Sequence, residues 1–281
     1  MSLSDVSARG PSFGLSPLGF LDLPPPDLIR VAAQAGFAAV GLRTAPAVPG
    51  GAAYALEDDP ALLRATADAA AAWGLRIRTI EMISLSRETT AAALRPVFEA
   101  GARIGATRVL CTGNDTDLAA VSEAFAVACG AAAEFGLGVD LEFMRFRSVQ
   151  TLEQAVEVVR RAGMPNGAIV LDCLHLIRSG GTAAQVAALP RGAIGNLQVC
   201  DAPAASPPPE GLATEARENR LPPGEGDLPL ADILRAAGPV DAVDAEVPLG
   251  AAFSHLDALG KARVVHAATA RVLGGLAWKR A

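Results

Sequence analysis

The sequence predicts an α/β protein folded as a (β/α)8 TIM barrel, one domain over residues 1–281. Short apolar runs alternate with alanine- and leucine-rich amphipathic segments, at the roughly 30–40-residue spacing of a βα unit. Eight such runs occur. The 281 residues, 51% of them hydrophobic, suffice for a barrel that takes roughly 250.

The runs at 12–16, 38–43, 76–81, 108–112, 138–143, 168–172, 195–200 and 243–247 read as buried strands. Helices are expected between them, among them 59–73, 90–104, 118–135, 151–162 and 255–273. Asp59 before Pro60 supplies a capping carboxylate and a proline at the first helical position, and Ser148 or Thr151 can cap the 151–162 helix. Gly36, Gly74, Gly105, Gly136 and Gly163 each follow a helical segment, where a left-handed residue ends the turn. The stretch 118–136 is the most apolar, but Glu123 and Glu134 mark it as a barrel helix instead of a membrane span.

An open doubly wound sheet is the rival architecture. It is disfavoured because Gly14-Leu-Ser-Pro-Leu-Gly19 does not supply the GxGxxG turn, and no GK[ST] phosphate loop occurs. The net charge of −6 argues against nucleic acid or an anionic membrane as partner. Lys261 and Lys279 are the only lysines and neither falls on a strand, which speaks against Schiff-base chemistry. Cys111, Cys129, Cys173 and Cys200 lack CxxC spacing and read as buried reduced thiols. The opening MSLSDVSARGPSFG has neither the basic start nor the apolar core of a signal peptide. A soluble, cytoplasmic protein is expected, and its alanine-rich helical exterior suits a homodimer.

One connection breaks the rhythm. Residues 202–227 hold six prolines and almost no apolar periodicity, and read as a structureless lid over one end of the barrel.

Four oxygen-bearing side chains stand at or near the ends of strands: Glu142 in VDLEF, Asp172 in IVLDC, Gln198 in NLQVC and Glu246 in VDAEV. A parallel barrel gathers such residues at its C-terminal face. Three carboxylates and an amide oxygen converging there would repel one another without a cation, and a divalent metal relieves that. His175 stands three residues after Asp172, Asp201 three after Gln198, and Arg220 precedes Pro223-Gly-Glu-Gly226. Arg43, Glu81 and Asn114 also end strands and are candidates to line the pocket.

This ordered set resembles the xylose isomerase-like TIM barrels, the sugar phosphate isomerase/epimerase family with hydroxypyruvate isomerase, ketose 3-epimerases and inosose isomerases and dehydratases among its members. The likeness runs from about residue 13 to about residue 273. It implies metal ligands at Glu142, Asp172, Gln198 and Glu246, with Glu142 and Glu246 also exchanging the substrate proton. It further implies substrate contacts from His175 and Arg220, and Asp201, Glu81 and Arg43 complete the expected substrate-contacting set. Gln198 stands where many relatives carry His, so the donor set is all oxygen, which favours Mn²⁺ or Mg²⁺ over Zn²⁺ or Co²⁺.

The function so implied is a divalent-metal-dependent isomerase or epimerase of a small keto-sugar, polyol-derived ketone or hydroxy-keto acid, working through a metal-stabilised enediolate. A dehydratase of the inosose or 3-dehydroshikimate type uses the same first step and stays open beside it. An endonuclease of the same superfamily fits poorly with three histidines and an acidic chain. A non-catalytic sugar-binding protein is the remaining alternative.

Overall fold

A computed structural model describes residues 13–48, 50–240 and 242–276. Ser12, expected to open the first strand, and Lys279 lie outside the described residues. Eight parallel strands close into a barrel in sequence order: β1 (Gly14–Leu15), β2 (Ala39–Arg43), β3 (Arg76–Leu85), β4 (Arg108–Gly113), β5 (Gly138–Glu142), β6 (Gly167–Asp172), β7 (Ile194–Val199) and β8 (Val243–Ala245), with β1 pairing both β2 and β8. The predicted (β/α)8 class is the observed one. Strand β3 runs past Glu81 to Leu85 through register shifts against β2 and β4, so Glu81 lies within the strand and not at its end.

The helices are α1 (Pro25–Ala35), α2 (Pro60–Trp73), α3 (Ala91–Arg103), α4 (Leu118–Ala133), α5 (Leu152–Ala162), α6 (Cys173–Arg178), α7 (Ala183–Ala187), α8 (Leu212–Glu218), α9 (Leu230–Ala237) and α10 (Ala258–Gly274). Asp59 caps α2 through the Ala61 and Leu62 amides, Thr151 caps α5, and Gly74 and Gly163 end these two helices at φ +61° and +63°. The last helix starts later than expected. Asp257 caps it at Gly260, so His255 precedes α10, while His266 packs between Phe13 and Phe37.

Segment 202–227 is not structureless. It contains a 3-10 turn (Pro209–Gly211) and α8, whose Leu212 and Ala216, one turn apart, are buried. Among the described residues no helix is long and apolar enough to cross a membrane. All four cysteines are free and buried.

Alternation along the strands stacks polar side chains in two tiers. In the lower tier Arg78 Nη1 donates to Asp244 Oδ1 at 2.7 Å, Asn196 Nδ2 donates to Asp244 Oδ2 at 2.9 Å, and Arg108 forks onto Asp140. Two residues further on stand Glu142 on β5, Gln198 on β7 and Glu246 just past β8. The lower tier plugs the N-terminal end with satisfied ion pairs. The upper tier forms the site.

Candidate functional site

Register gathers the strand exits. Asp172 lies beside Gln198, Glu142 is opposite Val170, and Glu246 follows β8 with its N–H donating to Val199 O at 3.2 Å. None of the four is more than 3% exposed. Ser16 Oγ and Gln198 Nε2 both donate to Glu246 Oε1, at 2.8 and 3.2 Å. Gln198 Oε1 is left buried with no hydrogen-bond partner. An unsatisfied buried acceptor costs about 1–3 kcal/mol.

Part of the positive charge expected from a metal is supplied by Arg220. Its loop position brings a fully buried guanidinium between two carboxylates: Nη1 donates to Asp172 Oδ2 at 2.6 Å, and Nη2 lies 3.0 Å from Glu246 Oε2. Nε donates to Ala216 O at 2.7 Å, and Nη1 also reaches Cys200 Sγ at 3.3 Å. Burial works to raise Asp172, but Arg220 and His175 outweigh it and hold the carboxyl below its ordinary range. Burial likewise pushes Cys173 and Cys200 upward, so both thiols stay protonated.

Glu142 is outside this guanidinium's grip. Its Oε1 lies 3.6 Å from His175 Nε2. Burial pushes the Glu142 carboxyl well up, Glu246 and Asp172 add to that, and Arg220 only partly opposes it. Glu246 is raised by burial too, against Arg220. His175, in α6, is driven down to about 4 by burial, so its imidazole is neutral and able to coordinate. Asp172 fixes that helix by accepting from the His175 amide at 2.9 Å.

These residues fit a divalent ion. Gln198 presents an oxygen without a partner, Glu142 is a buried carboxylate with little compensation, and carboxylate oxygens that accept one hydrogen bond retain a further lone pair. Glu142, Asp172 and His175 each offer a ligand atom within 4.8 Å of the others. His175 therefore brings a nitrogen donor within reach of a set read from the sequence as all oxygen.

A pocket opens above this cluster. Glu142, His175, Arg220, Glu246 and Arg43 line it on the polar side, and Leu18, Ala47, Met82, Met144 and Phe146 form the apolar side. Leu18, Ala47 and Met82 come from the early strands and loops.

Two expected substrate contacts have other work. Asp201 accepts backbone N–H bonds from Ala202 (2.9 Å), Gly224 (2.8 Å) and Leu228 (3.0 Å), which ties both ends of the loop together and keeps it out of the pocket lining. Glu81 is buried against Arg43 at 3.2 Å, and it is Arg43 that faces the pocket. Asn114 is exposed. Arg147 and Arg217, which also line the pocket, were missed by sequence reasoning. Their signal was available: Arg217 precedes Arg220 by three residues, and Arg147 follows the Glu142 strand in Met-Arg-Phe-Arg.

Residues 29–243 match the family described as xylose isomerase-like TIM barrel. The chain belongs to that family. No curated protein matches it in sequence. Among solved structures, this xylose isomerase-like barrel is similar to the IOLI protein with a bound zinc atom (TM-score 0.76, 18% identity, 94% of this chain and 98% of that one). It is also similar to the probable 3-DHS dehydratase AsbF of Bacillus anthracis (0.72, 16%, 94% and 99%) and to D-psicose 3-epimerase (0.70, 14%, 94% and 100%). It spans 42% of a xylose isomerase-like TIM barrel/4-hydroxyphenylpyruvate dioxygenase fusion protein, over 92% of this chain (0.74, 18%).

Proposed function

We propose that the barrel is a divalent-metal-dependent isomerase or epimerase of a small keto-sugar, polyol-derived ketone or hydroxy-keto acid. The observation that carries this reading is the pairing of buried Glu142 and Glu246 on one pocket, with the unpartnered Gln198 Oε1 between their strands. Glu142, Asp172, Gln198 and Glu246 would hold the ion. Bound there, it supplies Lewis-acid polarisation of a carbonyl at the reacting carbon and draws the carboxylates toward their ionised forms.

The chain's own groups then do the proton work. A carbon acid beside a carbonyl is weak, so its base must be close, desolvated and ionised. Glu142 and Glu246 take and return the proton. His175, neutral and buried beside Glu142, donates to a substrate oxygen, and Arg220 holds Asp172 and Glu246 in place while offsetting surplus negative charge. The apolar wall of Met82, Met144 and Phe146 excludes water from the reacting face.

The test is deuterium incorporation from D2O into a panel of ketoses and hydroxy-keto acids. Glu142→Gln and Glu246→Gln should each slow exchange by about 10²–10⁴-fold. Exchange at the parent rate in both variants would sink the proposal.

Dehydration is the second reading, supported by the similarity to the probable 3-DHS dehydratase. It shares proton removal and then expels a β-hydroxyl, so a product lighter by one water selects it. The four free, buried thiols support the cytoplasmic placement, and the acidic net charge supports a small-molecule partner over nucleic acid. The homodimer stays a proposal resting on the alanine-rich helices.

A further inference from the structure

Two arginines on the pocket wall have no task in the chemistry above. Arg147 follows β5 and Arg217 lies on α8, and both line the pocket. Arg147 Nη2 donates to Ala47 O at 2.7 Å, which fixes the side chain, while its Nε is buried with no hydrogen-bond partner. Arg217 lies over the Phe146 ring, 5.3 Å from its centre. The other pocket arginines are matched by acids, Arg43 by Glu81 and Arg220 by Asp172 and Glu246. Among the described residues neither Arg147 nor Arg217 has a carboxylate at ion-pair distance. Both side chains line one pocket, and burial lowers Arg147 most, with the charge of Arg217 adding to that and Glu142 opposing it.

Like charges held together at a partly desolvated wall are unfavourable until an anion lies between them. The balance of the whole pocket points the same way. The carboxylates lining it are Glu142 and Glu246, with Asp172 buried just behind, against four arginines, Arg43, Arg147, Arg217 and Arg220. Glu81 beside Arg43 holds its proton up to about 8, so uptake of a dication leaves positive charge in excess. The wall also sits at the right place. Glu142, Met144, Phe146, Arg147 and Arg217 all line this one pocket, so a molecule held at Glu142 shares its space with the arginines.

We propose that the substrate carries a terminal oxyanion, a carboxylate or a phosphate, that docks between Arg147 and Arg217 while its hydroxy-ketone end reaches Glu142 and Glu246. This deepens the functional reading above and rests on it for the hydroxy-ketone end. Neutral ketoses are thereby poor substrates. The two bidentate forks also orient the chain, so that the anion fixes which carbon faces the carboxylates.

Three compounds that share a hydroxy-ketone and differ at the other end decide it: hydroxypyruvate, dihydroxyacetone phosphate and neutral dihydroxyacetone. Binding is measured by calorimetry on the full-length chain with Mn²⁺. The expected result is that one of the two anions binds about tenfold or more tightly than dihydroxyacetone, and which one does so tells carboxylate from phosphate. That preference should fall toward unity in both R147Q and R217Q and persist in R147K, which keeps the charge. The variants separate docking on guanidinium from chelation of the ion by the anion. Arg217 is exposed, so its variant reports even if R147Q folds poorly. Equal binding of the three, no measurable binding of either anion, or a preference unchanged in both Gln variants overturns the inference. Deuterium exchange into the same compounds reads the parent proposal separately: exchange without anion preference removes only the inference, and anion-selective binding without exchange removes only the proton-transfer reading.

Discussion

Inside the barrel Glu81 keeps one oxygen 3.2 Å from Arg43 and leaves the other without a hydrogen-bond partner, so burial prevails over the guanidinium and pushes the carboxyl up to about 8. The folded chain then retains a proton that the unfolded chain gives up in the ordinary carboxyl range. Between that range and about 8 the native state binds more protons, so stability falls as pH rises. Calorimetric melting of the metal-free chain across this window should show the melting temperature falling with pH in the parent and a flatter profile in Glu81→Gln. Equal slopes would remove Glu81 as the cause. Much of the site was legible at this scale, because Glu142, Asp172, Gln198 and Glu246 stand at strand exits in apolar runs. Asp140 and Asp244 stand in the same runs two residues earlier and face the same interior, but at the plugged end. Only the register of the closed barrel separates the two tiers. Asp201 was ambiguous in the sequence for a related reason: a carboxylate just past a strand can serve a ligand or its own loop, and this one accepts bonds from three nearby amides.

At the scale of elements, the segment after β7 is what carries Arg220 into the barrel. Its prolines marked it as a loop, and they also hid α8, too short for a full amphipathic repeat. The burial of Leu212 and Ala216, one turn apart, was the trace left in the sequence. The segment is held at its base by Asp201, by the Asp201–Leu221 bridge and by Arg178, which forks onto Glu215 at 2.7 and 2.8 Å. Asp201→Ala removes the acceptor of three backbone amides and should destabilise the chain by about 1–3 kcal/mol. It should also expose the loop, so trypsin should cut at Arg217 or Arg220 faster than in the parent. A cleavage pattern identical to the parent's would show that the loop is held by its other contacts.

For the molecule as a whole, the alternation of apolar runs with capped helices was enough to give the barrel, because each βα unit states its own period, cap and stop. The plug at its N-terminal end was not readable, since it depends on glycines whose meaning appears only in three dimensions. A Cβ at Gly195 would overlap Asp140 Oδ1, and one at Gly14 would overlap Asp244 Oδ1, so both strands present bare backbone where the buried carboxylates sit. Gly195→Ala should therefore displace Asp140 from Arg108 and cost about 2–4 kcal/mol in urea unfolding. The same substitution should leave metal uptake at the opposite end intact; a loss of less than about 0.5 kcal/mol would place it among ordinary surface changes and show that the plug tolerates the extra carbon.

The upper tier is where fold becomes function, and metal uptake tests it without knowledge of the substrate. Chelator-stripped chain titrated with Mn²⁺ should bind one ion, with affinity reduced about tenfold or more in Gln198→Ala and in Glu142→Gln. A loss in Glu142→Gln and His175→Ala that spares Gln198→Ala would instead place the ion on the Glu142–Asp172–His175 group and favour zinc. No saturable uptake, or equal affinity in the parent and all three variants, would contradict a metal centre at the mouth of this barrel.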